Sequence, residues 1–411
     1  MRAAEVPHLK ISFVVPRYGT EVVGGAESAA RAFAENLVKL GVETKVLTTT
    51  AIDIDTWAHH YREGQTTLNG VEVHRFRPDS GRSAAFPEFS NKVLFLPRST
   101  SLDDCKKWIE LQGPVSEALL EAIATDRSDF LVFYPYLYHP IVYGLPRVKD
   151  RAILHPAAHP EPPIYLPIFK EVFESARAII LQSQAERDVV NKTFKVGATR
   201  QLELGLGVAG PPNDIKQRLS KYQSEDPPYI LCLGRVDDHK GTTMLSDFFT
   251  QYKERNPSNL KLVMAGPIVV KPPSHEDVEI LGVVSDEQKW ELIAGAQSLI
   301  SPSYFEAFSI VLFEAWALNT PVIVNQRCGP TFEHVSHSGG GLAFYDYPTF
   351  EVVLNRISND LELRKRLGEL GNKYYLANFT WERVIKRYFN FLIDLKSHGF
   401  DFVQQEPSPL A

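Results

Sequence analysis

Short apolar runs alternate with stretches of helical spacing along most of the chain. Residues 11–15 (Ile-Ser-Phe-Val-Val) predict a buried strand. After the loop 16–25, Ala26, Ala29, Ala30, Phe33, Leu37 and Leu40 keep the spacing of one helix face, and Gly41 stops it. Residues 44–50 predict the next strand, which completes a strand, glycine loop, helix and strand of the doubly wound parallel type. Further strands are expected at 71–76, 130–134, 152–155 and 176–181, and Ser183 with Glu186 has the spacing of a capping box at a helix start. Residues 77–97, rich in Arg, Pro, Ser and Phe without a clear period, read as a long mobile loop.

Helix and strand breakers then crowd residues 205–214, and the acidic, proline-containing stretch 224–228 closes the connection. The alternation restarts at 229–233 and continues through strands at 260–265, 278–282 and 321–325. Residues 379–396 predict an amphipathic helix with Thr380 as N-cap. The division expected is a domain over 1–210, a linker over 211–227, a second domain over 228–380, a final helix over 381–403 and a flexible tail over 404–411. The fold class is α/β, with two doubly wound, Rossmann-like domains facing across a cleft and ligands at the carboxyl ends of the strands.

Residues 301–321 concentrate the chemistry. The run from Ile310 to Leu318 is apolar nearly all round, so a buried helix is expected, and a charged Glu314 inside it needs a reason. Ser309 is placed to cap that helix, and the amides of Ser309, Ile310 and Val311 would offer a phosphate the positive end of the helix dipole. Glu306 lies just before it. If both glutamates were helical they would sit ~12 Å apart along the axis. The plainer alternative makes Glu306 an acidic residue at a helix start and Glu314 a buried carboxylate paired with a core Arg or His.

Three other stretches carry candidates. Gly24 and Gly25 let backbone approach a ligand, although glycines in such loops often serve only to turn. Arg235 and Lys240 place two cations in the loop after strand 229–233, as a site for an anion or as an ordinary solvated Arg and Lys. His155 and His159 compete for one role beyond strand 152–155, and Tyr136 and Tyr138 offer aromatic faces to a sugar or to a core.

Composition narrows the class. A net charge of −6 without a long basic run argues against nucleic acid as a partner. Three scattered cysteines, Cys105, Cys232 and Cys328, have neither disulfide-framework nor zinc-ligand spacing, which fits a reducing cytoplasm. No apolar run is long enough for a membrane helix. Arg82, Phe86, Phe89, Lys92 and Arg98 leave peripheral contact with the inner face of a membrane as an alternative to an ordinary surface loop.

Pro302-Ser303, Glu306, Phe308-Ser309, Glu314-Ala315 and Thr320-Pro321-Val322 resemble the two-glutamate motif of retaining glycosyltransferases of the GT-B fold, in glycosyltransferase family 4. Gly24-Gly25-Ala26-Glu27, the segment from Gly234-Arg235 to Lys240-Gly241, and Gly282-Val283-Val284 resemble three further family segments. The resemblance implies a nucleotide sugar as donor and a hydroxyl acceptor, with no cofactor and no metal. It gives the ribose hydroxyls to Glu314, and the sugar and phosphate to Glu306 and the amides of Phe308, Ser309 and Ile310. The diphosphate falls to Gly24, Gly25, Arg235 and Lys240, the base to main chain at Val283, and the transferred sugar to His159. Two departures stand out: Asn319 replaces a glycine at the helix end, and Pro160 replaces the aspartate that usually follows the histidine. A GT-B nucleotide-sugar epimerase and a non-catalytic GT-B scaffold are the competing readings. A dinucleotide-dependent dehydrogenase lacks its glycine fingerprint.

Overall fold

The computed structural model of the chain describes residues 8–22, 24–215 and 227–398; most of the expected linker and the whole of the expected tail lie outside them. The chain divides into two compact units. The first takes residues 1–182, 186–204 and 385–411, and the second takes 183–185 and 205–384. The main division thus falls between Leu204 and Gly205 rather than after residue 210.

The first unit is built on an eight-stranded sheet in the order β3-β4-β2-β1-β5-β6-β7-β8. Its strands are β1 (Lys10–Val14), β2 (Glu43–Thr49), β3 (Gly64–Leu68), β4 (Val71–Phe76), β5 (Phe130–Phe133), β6 (Ala152–Leu154), β7 (Ala178–Leu181) and β8 (Arg200–Glu203). All neighbours pair in parallel except the hairpin β3–β4. β5, β6 and β7 are buried along their whole length, as strands covered on both faces must be. The helix Gly25–Lys39 turns Ala29, Ala30, Phe33 and Leu37 inward.

Residues 77–97 are not loop throughout. Phe86–Phe95 is a helix with Pro87 in its first turn, and its buried stripe is Phe86, Ser90 and Val93. Phe86 packs on Trp108, whose indole N–H donates to Ser90 Oγ at 3.0 Å. Arg82 lies over Phe86, Lys92 over Phe89 and Arg98 over Tyr165, so these aromatic rings are packed against the protein's own cations.

The second unit carries an all-parallel, six-stranded sheet in the order β11-β10-β9-β12-β13-β14. These strands are β9 (Tyr229–Leu233), β10 (Lys261–Ala265), β11 (Val278–Gly282), β12 (Ser298–Ser301), β13 (Val322–Asn325) and β14 (Gly341–Phe344). The buried helix expected after β12 spans Ile310–Ala317. Trp316, fully buried, donates from Nε1 to Gly340 O at 3.0 Å. A side chain on Gly371 would reach to 2.1 Å from that indole, so the helix Leu361–Asn378 can pack there only with glycine.

The last helix, Trp381–His398, begins in the second unit under Thr380, whose Oγ1 accepts from Arg383 N–H at 3.4 Å. From Ile385 it belongs to the first unit. There Tyr388 meets His155, Asp394 pairs with Arg200, and Lys396 Nζ donates to Asp129 Oδ2 at 2.8 Å. Among the described residues no helix is long and apolar enough to cross a membrane.

Candidate active site

In the second unit one carboxylate shapes the loop after β9. Asp237, 4% exposed, pairs with Arg235, accepts the Lys240 N–H at 2.7 Å, and through its carbonyl accepts Thr242 Oγ1 at 3.0 Å. Gly241 then takes a left-handed conformation (φ +72°) to start the helix Thr242–Arg255. Any side chain there would come within 2.5 Å of Pro302 O, so glycine is what lets this loop lie on the loop after β12.

That approach brings Lys240 Nζ to 2.7 Å from Glu306 Oε1, which also accepts from Ser303 Oγ at 2.8 Å. Both motif cations therefore have carboxylate partners in the protein itself: Arg235 has Asp237 and Lys240 has Glu306. Sequence reading treats them as free charges and misses Asp237 and Ser303, although both stand inside the quoted motifs.

Glu306 lies outside the helix, so the separation estimated for two helical glutamates does not apply. Ser309 stands at the N-cap but does not cap: its backbone is left-handed (φ +69°, ψ 75°) and its side chain bonds no helix amide. The Ser309 hydroxyl is buried and has no hydrogen-bond partner. An orphaned hydroxyl beside the positive end of a buried helix fits a phosphate oxygen. The Phe308 side chain serves the core instead, stacked on Phe313 at 4.5 Å and edge-on to His334 and Phe379, so only its backbone faces a ligand role.

Glu314 is mostly buried and is met at 2.8 Å by Lys289 Nζ from the helix Asp286–Gly295. Burial pulls the Lys289 ammonium down, but the charge and hydrogen bond of Glu314 outweigh it and hold its pKa above the ordinary value. The partner is thus a lysine, not the Arg or His expected from a core glutamate. Ile310 opens the helix, and Val283, 76% exposed, follows the left-handed Gly282.

In the first unit, Arg17 Nε donates to Glu27 Oε1 at 2.9 Å, both side chains being buried, and Arg17 Nη1 donates to Ile52 O at 2.9 Å. This staple, which sequence reading missed, fixes the glycine loop. A side chain on Gly24 would meet Glu27 at 2.2 Å, so Gly24 is small for an internal reason. One on Gly25 would meet nothing within 4 Å, which leaves Gly25 open to a ligand.

His155 and His159 separate cleanly. His155 is 2% exposed, stacked on Tyr134 and hydrogen-bonded through Nε2 to Tyr388 OH at 3.0 Å; burial pulls its pKa down to about 3. His159 is partly exposed, with Nε2 3.7 Å from Glu161 Oε2, so Glu161 stands where Pro160 leaves no carboxylate. Glu161 also accepts from Tyr136 OH at 2.9 Å. Tyr136 is fully buried against Phe169, the core alternative of the two, and cannot offer its face to a sugar; Tyr138 is half-buried, edge-on to Trp57. Glu186 accepts the Gln182 and Ala158 N–H groups, each at 2.6 Å, and so ties the helix Gln184–Thr193 to the turn that bears His159. Burial pushes its carboxyl up to about 8 against those two bonds.

His334 repeats the His155 case in the second unit, buried among Phe308, Phe313 and Phe379 with its pKa pulled down to about 3. Both imidazoles stay neutral in the folded chain while the unfolded chain takes up protons below 6.5. Stability is therefore intact above 6.5 and falls as pH drops towards 3. Between pH 7 and 5 each histidine is expected to remove up to ~2 kcal/mol. Urea unfolding at the two pH values checks this; equal midpoints would contradict it.

Residues 214–374 match the family model for glycosyl transferases group 1. The matched stretch lies within the second unit. An uncharacterised glycosyltransferase of Methanocaldococcus jannaschii is 22% identical over 413 residues, which cover 93% of this chain and 97% of that one. A lipopolysaccharide 1,2-N-acetylglucosaminetransferase of Salmonella typhimurium is 22% identical over 382 residues, covering 82% and 92%. Sucrose-phosphate synthase from Thermosynechococcus elongatus superposes with a TM-score of 0.67 at 18% identity, covering 95% and 100%. The fold is GT-B, with two Rossmann-like units. Among the described residues no three His, Cys, Asp or Glu side chains gather as metal ligands.

Proposed function

We propose that the protein is a retaining glycosyltransferase that moves a sugar from a UDP- or GDP-sugar to a hydroxyl acceptor. The observation that carries this reading is the second-unit cluster: the Lys240–Glu306 pair beside the orphaned Ser309 hydroxyl, with Glu314 held by Lys289 in the helix that follows. A diphosphate would join Arg235, Lys240 and the helix start at Ser309 and Ile310, the base would meet main chain at Val283, and Glu314 would take the ribose hydroxyls.

Transfer would break the bond from the anomeric carbon to the diphosphate and form the acceptor bond on the same face. The acceptor's proton would pass to the departing phosphate oxygen, so no protein nucleophile and no metal is needed. Fixed cations are well suited to that charge because they need not reorganise as it grows. His159, oriented by Glu161, is the first unit's candidate for contact with the transferred sugar. Glu161, 3.7 Å from His159, weakens one of the two features behind the non-catalytic scaffold reading, the missing carboxylate at Pro160; the other is the aromatic stretch around Tyr136 and Tyr138. The Salmonella relative supports an acceptor in glycan, cell-surface polysaccharide or glycolipid assembly.

The test is nucleotide release from UDP- and GDP-sugars with and without candidate acceptors, with the anomeric configuration of the product read by NMR. Acceptor-dependent release and an α-linked product are expected. Release without acceptor would point to an epimerase or hydrolase, and an inverted linkage would remove the retaining mechanism.

A further inference from the structure

Arg75 is a buried cation without an anion. It shares the inward face of β4 with Val71 and Val73, lies opposite Thr48 of β2 near the carboxyl end of the sheet, and is 6% exposed. Among the described residues the other buried charges are all answered. Arg17 has Glu27, Asp126 has Lys45 at 2.7 Å, Asp237 has Arg235, Lys253 has Asp277 at 3.1 Å, and Glu186 has two backbone N–H groups. Arg75 has only neutral acceptors: Nη1 donates to Thr66 Oγ1 at 2.7 Å and Nη2 to Tyr18 O at 2.8 Å. Its Nε is buried with no partner, and so is the hydroxyl of the neighbouring Tyr18.

Burying a guanidinium unpaired is costly, so its presence calls for an explanation, and its fork is suited to a carboxylate or phosphate. One of the groups over it is an aromatic ring. The Tyr61 ring lies 4.5 Å from the Arg75 guanidinium. Its backbone is anchored by Tyr61 N–H to Thr50 O at 2.9 Å, but its hydroxyl is held only by a 3.4 Å bond to the exposed Glu21. The hydroxyl rests on Gly19, where any side chain would collide with it at 2.3 Å. Turning the ring about its own Cα–Cβ bond, away from Gly19 and from His60, which it meets edge-on at 4.7 Å, would uncover the side of the guanidinium it lies over. Burial also holds the Arg75 pKa below its ordinary value, as expected of a charge lacking a counter-ion.

The geometry points to Arg75 as an anion site that receives a carboxylate or phosphate on the acceptor when the Tyr61 ring turns aside. The word acceptor rests on the transfer reading above; the anion site does not. The planar fork of Arg75 suits two parallel oxygens, and its place at the carboxyl end of β4 is where ligands of such sheets bind.

Arginine Nε–H signals in 15N NMR test this directly, the Arg75 signal being assigned by its loss in Arg75→Lys. Inorganic phosphate or glucuronate should shift that signal saturably, while sodium chloride at equal ionic strength should not. A response to phosphate alone assigns a phosphorylated acceptor, and a response to glucuronate as well assigns a uronate. In Tyr61→Ala half-saturation should fall roughly five- to tenfold, because the open state no longer competes with a covered one. An Arg75 signal that stays in place in both proteins, or that moves equally with chloride, would reduce Arg75 to a strut between Thr66 and Tyr18. Because no donor or turnover enters the measurement, failure of the transfer reading would leave its outcome unaffected.

Discussion

Lys240→Ala is expected to lower kcat/KM for sugar transfer about 10²- to 10³-fold, the usual effect of removing one fixed stabiliser of a developing negative charge. The lysine is 2.7 Å from Glu306 and partly exposed, so its loss should cost the fold only ~1 kcal/mol or less. Glu306→Gln should cripple transfer as well, since it removes the charge that holds Lys240 in place. The two residues share one bond, so the double variant should be little worse than the worse single one. Steady-state kinetics with a responsive donor, alongside thermal melts, separates this from simple unfolding. Near wild-type turnover in either single variant would contradict the assignment.

Gly266→Ala should destabilise the second unit by roughly 2–5 kcal/mol, because overpacking and a strained backbone add at one position. Gly266 has φ +147°, and a side chain there would lie 1.9 Å from Gly234 O. The ends of β9, β10 and β11 meet backbone to backbone at this point: Gly234 N–H donates to Ala265 O and Gly266 N–H to Gly282 O. Prising them apart would also displace Arg235, the residue after Gly234. Gly25→Ala is the contrasting variant, since its side chain would meet nothing within 4 Å. It should melt with the wild type and lose activity if a ligand approaches that loop. Urea unfolding of both variants decides the matter; a Gly266→Ala protein as stable as the parent would show that the strand ends relax freely.

Most strands of both sheets were legible because strand runs and helical spacing are local signals, but the edge strands β3, β8 and β14 were not, the first two being polar and without a buried face and the third only four residues long. The stretch from Ile310 to Ala317 read as a buried helix, and the structure places it as one. The contacts that set the candidate site were mostly not legible. Lys289 reaches Glu314 from another helix, and nothing near either residue signals the pairing. Arg17 and Glu27 are close in sequence, but the loop that folds them together has no period. Phe86–Phe95 read as a loop because its buried stripe is short, includes Ser90, and gains its meaning only against Trp108. Tyr136 failed as a sugar platform for a related reason: an aromatic at a strand end can face a ligand or a core, and Phe169 and Phe173 claim this one. Ser309 had the right residue type for a cap, yet its left-handed backbone left the hydroxyl unbonded, which is the feature most consistent with a ligand.

The most direct test of donor binding by the second unit is the thermal midpoint with UDP, GDP, ADP and CMP, in the parent protein and in Lys240→Ala, with and without chelator. A nucleoside diphosphate at 100 times its Kd adds ~2.7 kcal/mol to the folded state, enough to raise the midpoint measurably. A rise selective for one diphosphate, insensitive to chelator and lost in Lys240→Ala, is the expected result. No rise with any of the four, or a rise that survives loss of Lys240, would contradict it.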